Sequence, residues 1–448
     1  MFHVSNPFRP SFHALILSCG LAAPALALDL PEPLSESDFI QFDQKQAELG
    51  QLLFYDKILS GNQNISCGTC HHHELGGTDG LALGVGEGGL GLGPERLTST
   101  NGDNPIKSRI PRNAPALWNL AHKDVDSVFH DGRLEISDLY GNGFVTPAQE
   151  RLPLGLNSIL AAQALFPMTS DAEMAGHPGE NEIAGAVHDR IDLAWPIIAK
   201  RVRSIPEYGE LFVAAFDHID RPEQVTIVEI ANAIAAFEGT EWRNFDSPFD
   251  KYLAGDTTAM TDQQIRGMEL FYDEVGCAGC HAGSMLSDQG FHALGLPQFG
   301  PGRTRPHDPM PRDVGRMGFT DALDDAYRFN TPFLRNIALT APYGHNGAMP
   351  TLKDMVMHHL NPRESLQKGQ PEMADLPDAV WLASTDFIIQ QDKLEMKRQW
   401  SVLDIDLPPV TDAQVDDIVA FLHALTGETA LTRPLGRPDR VPSGLPID

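Results

Sequence analysis

Two stretches of the chain carry the same order of apolar and polar positions: GQLLFYD from Gly50 and GMELFYD from Gly267. Each reads as a short amphipathic helix, with Leu, Phe and Tyr grouped against charged or polar neighbours. Further along each half, apolar residues recur at helical spacing. Ile227, Ile230, Ile234 and Phe237 form one stripe, and Ile418, Phe421, Leu422 and Leu425 form the other. The repetition predicts two helical units, 28–255 and 256–430, joined near Gly255 and trailed by a tail, 431–448. Polar and glycine-rich segments around 81–112, 134–162 and 300–325 interrupt the pattern and read as loops. Gly84, Gly86 and Gly89 spell GxGxxG, but no strand pattern precedes them and no helix pattern comes after. The segment is therefore expected to be a loop and not a dinucleotide cradle.

Each repeated helix leads into a pentapeptide with two cysteines, CGTCH from Cys67 and CAGCH from Cys277. The N-terminus has Arg9, an apolar stretch from Phe12 to Leu21 broken by His13, and small residues at Ala25 and Ala27. This reads as an export signal cut after Ala27, the alternative being a lipoprotein signal at Cys19. Outside it lie four cysteines, Cys67, Cys70, Cys277 and Cys280, a number that in an exported chain normally means disulfides. Here a histidine stands directly after each pair. In Cys-x-x-Cys-His the thiols add across the vinyl groups of haem and the imidazole reaches the iron. His71 and His281 are the expected proximal ligands. The implied fold class is mainly α, with two cytochrome c-like helical domains, each carrying one covalently attached haem c. The remaining composition is ordinary for a globular protein, 42% hydrophobic and 21% charged in 448 residues. No run approaches the roughly 20 apolar residues of a membrane helix. A net charge of −28 argues against nucleic acid, whose phosphates need clustered Lys and Arg.

The chain resembles the bacterial di-haem cytochrome c peroxidases and the related methylamine-utilisation (MauG-type) enzymes. The matching segments are LSGNQNISCGTCH, RNAPALWN, FHDGR, the FPMTSDAEM stretch, FHALGLP and TPFLRNIALTAPYGHNG, spread over about 49–427. The resemblance implies hydrogen peroxide as substrate at the first haem, beneath a glutamine, a proline and a glutamate. Gln163, Pro167 and Glu173 have the family spacing, and Met168 and Met174 beside them read as core. From Glu74 to Ala121 there is no histidine or methionine to cap the first iron, which is closer to the MauG branch.

At the second haem the family's sixth ligand lies seventeen residues after the proline of the TAP motif. That position is His359, where relatives have methionine or tyrosine, with His358 and Met357 as rivals. The family's FWDGR appears as Phe129 to Arg133, so His130 replaces the bridging tryptophan and Trp118 is the nearby alternative. Asn113, Thr340 and Pro342 match the residues implied to hold calcium between the domains, and His345 reads as structural. The resemblance further implies a periplasmic enzyme, a small cytochrome c-type donor or a substrate protein as partner, and association as a homodimer.

Overall fold

The computed structural model describes residues 28–99, 105–305, 308–368, 374 and 376–448. The export signal expected up to Ala27, with Cys19, lies outside the described residues. Helices dominate, and two pairs of them organise the molecule. Gln44–Tyr55 begins at Asp43, whose carboxylate accepts the N–H groups of Lys45 and Gln46. Its partner Ile227–Glu241 begins at Thr226 in a reciprocal box with Glu229. In the second half Asp262–Glu269 and Asp412–His423 begin at Thr261 and Thr411, boxed with Gln264 and Gln414. Such caps satisfy the donors that a helix leaves open at its start.

Both pairs cross at glycine. A Cβ on Gly50 would lie 1.8 Å from the carbonyl oxygen of Ala233, and one on Gly267 would lie 1.9 Å from that of Asp417. Only a residue without a side chain lets the two backbones approach so closely, which explains why glycine heads both repeats. Phenylalanines fill the crossings, Phe54 against Phe237 and Phe271 against Phe421, each with ring centroids 5.2 Å apart. Two apolar cores result, one around Leu53, Ile230 and Ile234 and the other around Met268, Ile418 and Leu425. The chain crosses between them. Ala82 and Leu83 pack into the second core, whereas Ala430 and Val441 pack into the first. Asn244, Asn336 and Asn119 tie the seam through hydrogen-bonded amides.

Short elements lie in the segments expected to be loops and beside them. Ser127–Val128, Leu134–Ile136 and Phe144–Val145 form an antiparallel sheet, with Val128 opposite Leu134 and Glu135 opposite Val145. Phe291–His292 pairs with Phe329–Asn330, and Met317–Thr320 is a single helical turn. Elements of two to four residues carry too little periodicity to register in a sequence pattern. Among the described residues no helix is long and apolar enough to cross a membrane.

Candidate haem sites

Cys67–Cys70 is one helical turn, begun at Ser66 in a reciprocal box with Thr69. His71 comes next, its Nδ1 3.0 Å from the carbonyl oxygen of Gly77. A carbonyl accepts only, so Nδ1 carries the proton and Nε2 keeps its lone pair for a metal. A cavity of about 1030 Å³ opens over this turn, lined by Cys67, Cys70, His71, Asn113, His130, Gln163, Pro167 and Glu173. No disulfide joins the cysteines of either motif. Burial pushes Cys277 up to about 11, Cys70 to about 12 and Cys67 further still. A cavity that reaches both half-buried cysteines of the turn, beside an imidazole whose Nε2 is left open, fits a covalently attached haem.

Glu173 sits half-buried on the Asp171–Ala175 turn. Loss of solvation raises its carboxyl above the usual range, against the opposing pull of Arg133 and Arg303. The glycine-rich loop braces this turn. The Glu87 N–H donates to the carbonyl of Ala172 at 3.2 Å, and a Cβ on Gly86 would lie 1.9 Å from the same oxygen. Buried Arg96 holds the loop from within by donating to the carbonyls of Val85, Gly86 and Gly91. Gln163 lies in the Ile159–Ala164 helix and Pro167 opens the next turn. Met168 and Met174 are both buried, and Met174 touches the cavity. Neither motif nor spacing assigns a role to four further lining residues: Asp79, Arg133, Glu238 and Arg303. Burial pushes Asp79 up to about 7 and Glu238 to about 8. A signal for Glu238 existed, since a carboxylate stands directly after Phe237 on an otherwise apolar stripe.

At the second centre Cys277–Gly279 forms a tighter 3₁₀ turn. His281 and His359 repeat the arrangement of His71: Nδ1 of His281 is 3.1 Å from the Leu286 carbonyl oxygen, and Nδ1 of His359 is 2.8 Å from that of Met355. The centroids of these two rings are 6.4 Å apart. With Nδ1 held by a carbonyl on each ring, both imidazoles leave Nε2 open for a metal. The rivals are placed differently. His358 bonds through Nε2 to the Leu294 carbonyl at 2.9 Å, and Met357 is 43% exposed. Burial keeps His281 neutral by lowering its pKa to about 4.

Between the centres, His130 lines the first cavity with Nε2 3.1 Å from the Asn113 carbonyl, and its own carbonyl accepts the Asn330 N–H. Burial and the Arg112 charge lower its pKa to about 4. Asp131 is buried against Arg112 and Arg133 at 2.7 and 3.0 Å. Arg112 also grips Asp313 with both arms, at 2.7 and 2.9 Å. His345 stacks on Phe329, centroids 3.6 Å apart. Trp118 donates to the Gly76 carbonyl within the first core and is not part of the cavity lining. The Asn113 N–H donates to the His345 carbonyl and its side-chain amide to the Leu81 carbonyl, which joins the RNAP and TAP segments. Thr340 is buried there and Pro342 comes after a cis peptide. Among the described residues the one cluster of His, Cys, Asp and Glu with metal-ligand spacing is Cys280, Asp288 and His292, away from that junction.

Residues 44–258 match the family described as di-haem cytochrome c peroxidase. The chain is 31% identical over 334 residues to a cytochrome c551 peroxidase of Pseudomonas aeruginosa, covering 75% of this chain and 77% of that one. It is 27% identical over 342 residues to methylamine utilization protein MauG of Methylorubrum extorquens, covering 76% and 75%. A solved MauG-like protein associated with microbial copper homeostasis superposes with a TM-score of 0.57 at 26% identity, over 92% of this chain and 97% of that one. The diheme peroxidase BthA of Burkholderia thailandensis shares the fold, with a TM-score of 0.58 at 20% identity over 92% and 95%. With two CxxCH turns, two glycine-crossed helix pairs and these relatives, the chain belongs to the di-haem cytochrome c peroxidase and MauG family of oxidoreductases.

Proposed function

We propose that the chain is a periplasmic enzyme that reduces hydrogen peroxide in the cavity over His71, with electrons relayed through the His281 centre from a small cytochrome c-type donor. The observation that carries this reading is the convergence of Gln163, Pro167 and Glu173 on the cavity that also holds Cys67, Cys70 and His71. Haem c on Cys67 and Cys70 with His71, and on Cys277 and Cys280 with His281 and His359, supplies the iron redox chemistry. Glu173 takes a proton from one peroxide oxygen and returns it to the other as the O–O bond breaks, a task suited to a carboxyl raised by desolvation above its ordinary range. The Gln163 amide orients the peroxide, and Pro167 narrows the space around it. With two electrons and two further protons the products are two waters. His130, which touches the first cavity and the second unit, is the proposed bridge. Asn113, Thr340 and Pro342 are the proposed oxygen donors for calcium, a hard ion suited to amide and carbonyl ligands.

A second reading is MauG-type oxidation of a tryptophan or tyrosine on a partner protein. It is favoured by the absence of histidine and methionine from Glu74 to Ala121, which leaves no loop ligand to close the first iron. A non-catalytic electron-transfer or sensor protein is the third. Electron paramagnetic resonance of the ferric protein tests the enzymatic readings: one high-spin and one low-spin signal are expected. Two low-spin signals and a Soret band unmoved by peroxide would end both. Peroxide-dependent oxidation of a reduced cytochrome c then separates the peroxidase from the protein-modifying enzyme.

A further inference from the structure

Glu173 lines two cavities. Besides the one over His71, a second cavity of about 830 Å³ has Arg133, Glu173 and Arg303 in common with it. These shared residues mark the junction, and exposed Asp171 and His188 mark the mouth. Its lining is mixed: Phe166, Ala184, Val187 and Ile191 offer an apolar face beside polar Thr169, Ser170 and Asp171. Ala184, Val187 and His188 stand at helical spacing on Glu182–Asp189, so they share one face. Asn181 fixes that helix to the Glu173 turn: its Oδ1 caps the Ala184 N–H and its Nδ2 donates to the Ala175 carbonyl at 2.9 Å. Hydrogen peroxide is small and polar throughout and makes no use of such a face. A hydroperoxide with an alkyl or aryl tail has the same O–O head and gains by burying its apolar area.

We propose that this vestibule seats the apolar tail of an organic hydroperoxide whose O–O head reaches Glu173, so that the enzyme reduces alkyl and aryl hydroperoxides. The inference rests on the reading of Glu173 as the group that handles peroxide. Glu173 takes the hydroperoxide proton and returns it to the alkyl-bearing oxygen, which leaves as the alcohol when the O–O bond breaks. Two one-electron oxidations of reduced c-type cytochrome, together with two protons, release the other oxygen as water.

The test uses the haem-loaded protein with reduced cytochrome c, hydrogen peroxide and cumene hydroperoxide. Stoichiometric 2-phenyl-2-propanol is expected from the latter. Val187→Trp fills the vestibule and should lower the ratio of kcat/KM for cumene hydroperoxide to that for hydrogen peroxide by about tenfold or more, the scale on which apolar pockets discriminate. His188→Trp, at an exposed position, should lower the same ratio and covers the case in which Val187→Trp does not fold. Independently of turnover, saturation-transfer NMR should show 2-phenyl-2-propanol bound to the starting protein and not to Val187→Trp. Turnover of hydrogen peroxide without turnover of cumene hydroperoxide overturns the proposal. So does an unchanged ratio in both variants. Reaction with neither peroxide removes the reading of Glu173 first, and an absent NMR signal then removes the tail seat on its own account.

Discussion

Glu173 and Glu238 face the same cavity and have opposite fates. Glu173 is raised by desolvation but tempered by Arg133 and Arg303. Glu173→Gln should lower kcat/KM for hydrogen peroxide by about 10²–10⁴, the usual contribution of a positioned acid–base group, with haem content unchanged. The acid limb of the pH–rate profile, expected above the ordinary carboxylate range, should vanish with it. A profile that keeps its limb in the variant assigns that limb elsewhere. Glu238 has no tempering charge, and burial pushes it to about 8, with Oε2 unpartnered. A carboxyl whose folded pKa exceeds its unfolded one contributes stability below the ordinary value of about 4.5 and loses it as pH rises through about 8. The melting temperature should therefore fall between about pH 5 and pH 8, and calorimetry of Glu238→Gln should show a smaller fall. An equal fall in both proteins rules Glu238 out as its source. Glu173 was legible because a family spacing singled it out. Glu238 was not, because a carboxylate on an apolar helix stripe is ordinarily taken for a residue at its solvent edge.

Among the elements, the glycine crossings show why the repeat was readable and the sheets were not. Helices of eight to fifteen residues repeat their apolar face several times, whereas two-residue strands are fixed by partners distant in sequence. The sequence pattern located GQLLFYD and GMELFYD without explaining their glycines, since a backbone contact with Ala233 or Asp417 leaves no trace in local periodicity. Gly50→Ala and Gly267→Ala should each cost about 1–3 kcal/mol through overpacking, measured by urea unfolding. Gly86→Ala acts differently. Its Cβ would press on the Ala172 carbonyl beside Glu173, so peroxide turnover should fall while the far-ultraviolet circular dichroism stays unchanged. Retained turnover would show that the GxGxxG loop is only a cover and does not position the Glu173 turn.

At the scale of the whole molecule, the two units are held by buried charge as well as by apolar packing. Arg112, from the segment after the glycine-rich loop, grips Asp131 of its own half and Asp313 of the other, and all three side chains are nearly inaccessible. Burial alone would raise the Asp313 carboxyl, but the Arg112 guanidinium outweighs it and holds the carboxyl below its ordinary range. A depressed carboxyl contributes stability above its unfolded pKa and loses it as pH falls through the folded one. Arg112→Leu removes that benefit. Asp131 retains Arg133 and Arg303, whereas no ion pair of Asp313 other than that with Arg112 is seen among the described residues. Leaving one buried charge unpaired costs about 3–5 kcal/mol, and urea unfolding at pH 7 should show a loss of that size. Near pH 4 the orphaned carboxyl takes up a proton, so the deficit relative to the starting protein should shrink. Salt should restore little, because a dry pair is poorly screened. A deficit equal at both pH values would mean that Arg112 acts through packing alone, and that the charge pair across the seam does not couple the units.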